Sequence, residues 1–161
     1  IKSFQKSYQN AGFSDTAIES DMNSAVNYLK KNSIKLGRLC IYDLQNMIPK
    51  AIPVGKMLWA YQNTTTHRTN GIKTGVTYSI TIYSDGQKNA QLIAVPDEAT
   101  AQEILQKMND MYPWICVGYT DDLKRMFFKD RTQFMQLRYN SVEHTTVEPG
   151  FEGFQNDYSA N

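Results

Sequence analysis

Between Val76 and Tyr83 the chain reads "VTYSITIY", with Val76, Tyr78, Ile80 and Ile82 alternating with Thr77, Ser79, Thr81 and Tyr83. A two-residue period places one set on each face of a strand, so this stretch demands a sheet with one buried face. "SDGQ" follows, and Asp85-Gly86 is a hairpin signal because a type I′ turn needs positive φ at both central residues. "KNAQLIAV", Lys88 to Val95, is therefore expected to return as the antiparallel neighbour.

The other elements are arranged around that pair. In "GFSDTAIESDMNSAVNYLKKN" Ser14 is a good N-cap, and Ile18, Met22, Ala25, Val26 and Leu29 recur at helical spacing, with Lys30 and Lys31 at the end that favours cations. "IKLGRLCIYDL" and "KAIPVGKMLWAYQN" read as strands, the second interrupted or edged by Pro53 and Gly55, with "QNM" a tight turn between them. Pro96 stops the sheet and Asp97 caps a helix whose Ala101, Ile104, Leu105, Met108 and Met111 share one face. After Pro113, "WICVGY" gives a short strand. Thr120 then caps a last helix, with Asp121 and Asp122 in its first turn and a stripe of Leu123, Met126, Phe127, Phe134 and Leu137.

Tight turns rather than helical crossovers join the central strands. The expected class is α+β, a mainly antiparallel twisted sheet of about five to six strands with helices packed against it. Strands closing toward a small roll under one helix would resemble a pleckstrin-homology-like module, a likeness of fold that carries no function. Residues 1–13 are expected as a linker or stub after a missing amino-terminal segment, 14–140 as a single domain, and 141–161 as a carboxy-terminal tail.

Composition removes several function classes. The 17 Lys and Arg against 16 Asp and Glu leave a net charge of +1, which supplies no global field for nucleic acid, so no nucleic-acid partner is expected. The longest apolar runs are far too short to cross a bilayer, and the chain as given is expected to be soluble. It begins at Ile1 rather than Met, which points to a piece of something longer, and a membrane contact is expected only through such a missing segment. Cys40 and Cys116 lie inside apolar strand-like runs without metal-ligand spacing, so buried inert thiols are favoured over a disulfide.

"LWAYQNTTTHRTNGIKTGVTYSITIYSDG" and "YPWICVGYTDDLKRMFFKDRTQF" together resemble segments of functionally uncharacterised bacterial proteins, often with an amino-terminal membrane-spanning segment. The similarity covers most of residues 36–140. It implies a bacterial origin and a membrane tether of unknown side for the full-length protein. No catalytic or binding residue is implied by that group.

Three features carry the chemistry available. The stretch "YQNTTTHRTNGIKTG" contains His67, Arg68 and Lys73 among threonines and glycines. Its functional reading is an anion site of two cations, hydroxyls and loop amides; its plain reading is a hairpin with Asn70-Gly71 as the turn. It matches neither a phosphate-binding P-loop nor a dinucleotide fingerprint, so no cofactor is expected. His67 and His144 are the only histidines and neither sits in a ligand cluster, so no metal is expected.

Trp59 and Tyr61 on one strand, with Trp114 in "DMYPWICVGY", form the second feature, an aromatic platform for peptide or glycan or simply core filling. The third, "KRMFFKDR", mixes cations with Phe127 and Phe128, but Asp121, Asp122 and Asp130 nearly cancel its charge.

The expected function is a non-catalytic ligand- or protein-binding module, its partner an unknown protein, peptide or small anionic ligand. No residue is assigned a catalytic role; the ligand-binding candidates are His67, Arg68, Lys73, Trp59, Tyr61 and Trp114. The alternative is a small hydrolase or transferase using the His67/Arg68 loop on an anionic substrate. A preformed cleft holding His67 beside a carboxylate would favour the enzyme, and a projecting hairpin would favour binding.

Overall fold

A computed structural model describes residues 2–143 of the chain, an α+β fold with five α-helices and two four-stranded, mostly antiparallel sheets among those residues. They divide into two compact units, one up to Lys56 and one from Met57 onward, where the sequence suggests one sheet of five to six strands. Among the described residues the strand order of each sheet is open, four successive strands in one and four strands centred on a long hairpin in the other. The tail expected over 141–161 lies outside the described residues from His144 onward, as does His144 itself.

The first unit begins with α1 (Lys2–Gln9), where a linker or stub was expected, and α2 (Asp15–Ser24). Phe4 places its ring against those of Tyr8 and Tyr42, and Tyr8 is buried in the same cluster, which makes the first segment part of a core rather than a leash. Ser14 caps α2, its hydroxyl accepting from the Ala17 N–H at 3.2 Å. The helix stops at Ser24 and does not run on through Leu29. Val26–Tyr28 (β1) pairs with Ile34–Leu36 (β2), and Leu29 turns the chain at a φ of 67°. β2, β3 (Cys40–Asp43) and β4 (Lys50–Pro53) complete an antiparallel meander.

The stretch 34–44, read from sequence as one strand, is thus a hairpin. Its cause is Asp21, a buried carboxylate on α2. The carboxylate accepts from the N–H groups of Arg38 at 2.7 Å, Leu39 at 3.1 Å and Cys40 at 3.3 Å, and from the Tyr42 hydroxyl at 2.7 Å. A helix side chain therefore satisfies amide groups that the turn would otherwise leave orphaned. Gly37 is required beside it, since a Cβ there would crowd the Asp21 carboxylate and sit 2.9 Å from the Cys40 carbonyl oxygen.

In the second unit β5 (Met57–Thr69) and β6 (Ile72–Ser84) form a long antiparallel hairpin flanked by β7 (Gln91–Val95) and β8 (Cys116–Val117), in the order β7-β6-β5-β8. β8 runs parallel to β5 at Trp59 and Ala60, the one exception to the antiparallel pattern among the described residues. Asn70 and Gly71, at φ 54° and 81°, supply the two positive φ values of a type I′ turn. At Asp85-Gly86 only Gly86 has positive φ, and Gln87 N–H donates to the Ser84 carbonyl, so the chain turns there but does not re-enter the sheet until Gln91.

The sheet is covered on both sides. Ile80 and Ile82 are fully buried on the side of α3 (Glu98–Met111), whose Ala101, Ile104, Leu105 and Met108 are buried and whose Gln102 donates to the Gln62 side chain. On the opposite face Trp59 and Tyr61 pack against Leu123, Met126 and Phe127 of α4 (Asp121–Lys129) and Phe134 of α5 (Arg131–Glu143). Thr81, expected to face solvent, is therefore buried as well. The single helix expected after Thr120 breaks at Asp130, which leaves helical space at φ −147° and caps α5 through its carboxylate.

Candidate ligand-binding face

The cross-strand register sorts the hairpin's side chains into two faces. Trp59 lies opposite Tyr83, Tyr61 opposite Thr81, Asn63 opposite Ser79, and Thr65 opposite Thr77. Opposite partners share a face, so this face is aromatic at its base and hydroxyl- and amide-bearing toward the tip. Gln62 and Thr64, hydrogen-bonded to one another, belong to the other side, beneath α3.

Trp59 organises the base. Its indole N–H donates to the Gly118 carbonyl at 2.7 Å, and its ring stacks on Tyr83 at 5.6 Å and on Tyr119 at 6.1 Å. It is fully buried, so it supports the face rather than presenting itself to a ligand. Above it Tyr61, Tyr83 and Tyr119 converge, with the Tyr61 and Tyr119 rings 5.2 Å apart. A cleft of about 330 Å³ opens here, lined by these tyrosines with Asn63, Thr81, Lys124 and, at its rim, exposed Phe128 and Leu92.

The polar groups of the cleft are unevenly satisfied. Thr81 is 4% exposed and its hydroxyl has no hydrogen-bond partner. Burial, then interaction with Tyr83 and Tyr119, pushes the Tyr61 phenol upward, so it stays a neutral donor. Burial also raises the Tyr119 phenol, assisted by the Asp121 carboxylate that accepts from its hydroxyl at 3.1 Å.

Of the six ligand-binding candidates the structure brings Trp59 and Tyr61 together. Trp114 stands apart on the loop before β8, its ring 5.6 Å from Tyr112 and its carbonyl accepting from the Arg138 guanidinium. His67, Arg68 and Lys73 sit on the exposed end of the hairpin, beyond the reach of β7 and β8. His67 Nε2 is 2.9 Å from Thr77 Oγ1 on the face of the cleft, and Arg68 lies opposite Lys73 across the strands. The segment is a projecting ribbon, not a concavity.

Sequence reasoning missed Thr81, Tyr83, Asn63 and Lys124. The available signal was Tyr83, an aromatic on the otherwise polar side of "VTYSITIY", which marks where that side ceases to face water. Neither cysteine lines the cleft, although Cys116 packs against the aromatic cluster at its base: both thiols are free, and burial pushes each up to about 12. Among the described residues no group of three or more His, Cys, Asp or Glu is placed to hold a metal ion, and no helix is long and apolar enough to cross a membrane.

Residues 1–127 match the family described as a domain of unknown function, DUF6709. The chain belongs to this family. The match spans the first unit and, in the second, the whole hairpin and α4 through Phe127, so the cleft residues up to that point are part of the DUF6709 domain. No curated protein and no solved structure matches the chain.

Proposed function

We propose that this DUF6709 chain is a non-catalytic ligand- or protein-binding module that recognises its partner through the cleft on the aromatic face of the β5–β6 hairpin. The observation that carries this reading is the cleft itself, a concavity of about 330 Å³ lined by Tyr61, Tyr83 and Tyr119 with exposed Phe128 beside them. Tyrosine hydroxyls, the Asn63 amide and the Lys124 ammonium line it with donors, while Phe128 and Leu92 offer apolar area at the rim.

The catalytic alternative has less support. His67 lies on a projecting ribbon with a threonine hydroxyl as its neighbour, and a general base needs a substrate held within hydrogen-bond reach. Resemblance to bacterial, often membrane-tethered proteins supports display of the module at a membrane in the full-length protein. Protein, peptide, saccharide and small anionic ligands are the partner classes that the cleft's donors and aromatic rim suit.

The test is a ligand screen by amide NMR on the ¹⁵N-labelled chain, using short peptides, small carboxylates and saccharides. Binding should move the Asn63, Thr81 and Tyr119 amides together, and Phe128→Ala with Tyr119→Ala should weaken it at least tenfold. Failure of every ligand to move these three amides would refute the reading.

A further inference from the structure

Asn63 lines the cleft, and the residues that follow it on the same face of the hairpin continue outward as Thr65 and His67 on one strand and Ser79 and Thr77 on the other. The 2.9 Å contact between His67 Nε2 and Thr77 Oγ1 fixes both on that face. From Tyr61 to His67 the strand rises about 20 Å at the usual 3.3–3.4 Å per residue. The cleft is thus one end of a long track whose outer part consists of hydroxyl, amide and imidazole groups.

From Asn63 to Ser84 the chain contains no Asp or Glu, and on the track the outer residues carry neither acid, lysine nor arginine. Each hydroxyl can donate and accept at once, which suits a ligand dense in groups that do the same. A peptide laid on a sheet face, by contrast, gains no main-chain ladder, because that ladder exists only at a strand edge. Tyrosine rings and Phe128 at the inner end suit a ligand with a flat C–H face and polar edges.

We infer that the ligand is a linear oligosaccharide, its terminal ring seated among Tyr119, Phe128 and Thr81 and its following rings running over Ser79, Thr65 and Thr77 toward His67. This rests on the binding role proposed above for the cleft.

The experiment titrates the full chain with cellohexaose and chitohexaose, and with glucose and N-acetylglucosamine, by calorimetry and amide NMR. At least one hexasaccharide should bind tenfold or more tighter than its monosaccharide, with shifts reaching from Tyr119 to His67. The double variant Thr65→Val, Thr77→Val, which keeps strand-forming shapes on an exposed ribbon, should remove that tenfold advantage while leaving monosaccharide binding unchanged. Equal affinity for monomer and hexamer, or an advantage that survives the double variant, would overturn the track and leave the cleft. Binding of a peptide or small carboxylate at the cleft amides with no saccharide response would overturn the saccharide and leave the binding module. Silence from all of them would overturn both.

Discussion

Replacing Asp21 by Asn should destabilise the first unit by about 3 kcal/mol, although the two side chains have nearly the same shape. Oδ2 accepts from Leu39 N–H, Cys40 N–H and the Tyr42 hydroxyl, and Oδ1 from Arg38 N–H. An asparagine with its oxygen at the Oδ2 position keeps three acceptor contacts, now without the charge that strengthens them. It turns its amide toward Arg38 N–H, donor against donor. One lost bond with its donor left unsatisfied costs about 1–3 kcal/mol, and weakening of the others adds to it. Asp21→Ala leaves all four donors without the carboxylate and should cost about 5 kcal/mol, comparable to a small domain's entire stability. Tyr42→Phe removes one donor and leaves the acceptor, so about 1 kcal/mol is expected. Urea unfolding followed by far-ultraviolet circular dichroism measures the series. Tryptophan fluorescence, which comes only from Trp59 and Trp114 of the second unit, shows whether that unit responds. An Asp21→Asn cost below about 0.5 kcal/mol, or Tyr42→Phe as costly as Asp21→Ala, would refute the account of the carboxylate as organiser of the turn.

Three other outcomes are expected. Ile80→Ala should cost about 2–5 kcal/mol through a cavity under α3, whereas Thr81→Val should be neutral or stabilising because it removes an orphan hydroxyl, both read from denaturant midpoints. Cys40 and Cys116 should react with thiol reagents at pH 8 only after denaturation. Because their folded values of about 12 lie above the ordinary 9.0, the folded state holds those protons longer and stability should fall as pH rises from about 9 toward 12, checked by urea midpoints across that range. Replacing His67, Arg68 and Lys73 together by Ala should change the melting temperature by less than about 4 °C, and sulfate or phosphate should stabilise parent and variant alike; a phosphate-dependent gap would make Arg68 and Lys73 anion ligands.

What could be read from the sequence was local. The period of "VTYSITIY" correctly identifies Ile80 and Ile82 as core, and the caps Ser14, Asp97 and Thr120 all accept the expected amide hydrogen. What could not be read depended on residues distant in the chain. Thr81 looks solvated until α4 and α5 arrive to cover its face. "IKLGRLCIYDL" looks like one strand because Asp21, the group that bends it, lies on another element. Val26 fits a helical stripe as well as it fits β1, and pairing with Leu36 decides between them. For the site, Trp59 and Tyr61 were evident as aromatics near a strand, but Lys124 joins them only because α4 crosses the sheet.

The outer ribbon also bears on how copies of this chain behave in concentrated solution. Beyond Thr66 and Val76, β5 and β6 pair only with each other among the described residues, which leaves long strand edges of the kind that template edge-to-edge growth. Arg68 opposite Lys73 brings like charges together across the strands, which is unfavourable within one molecule. Between molecules the same pair keeps approaching ribbon tips apart, and it does so by a force that salt screens within about 8–10 Å. Colloidal stability should therefore decline as ionic strength rises, and the tip's two cations act as guards against fibrous self-association.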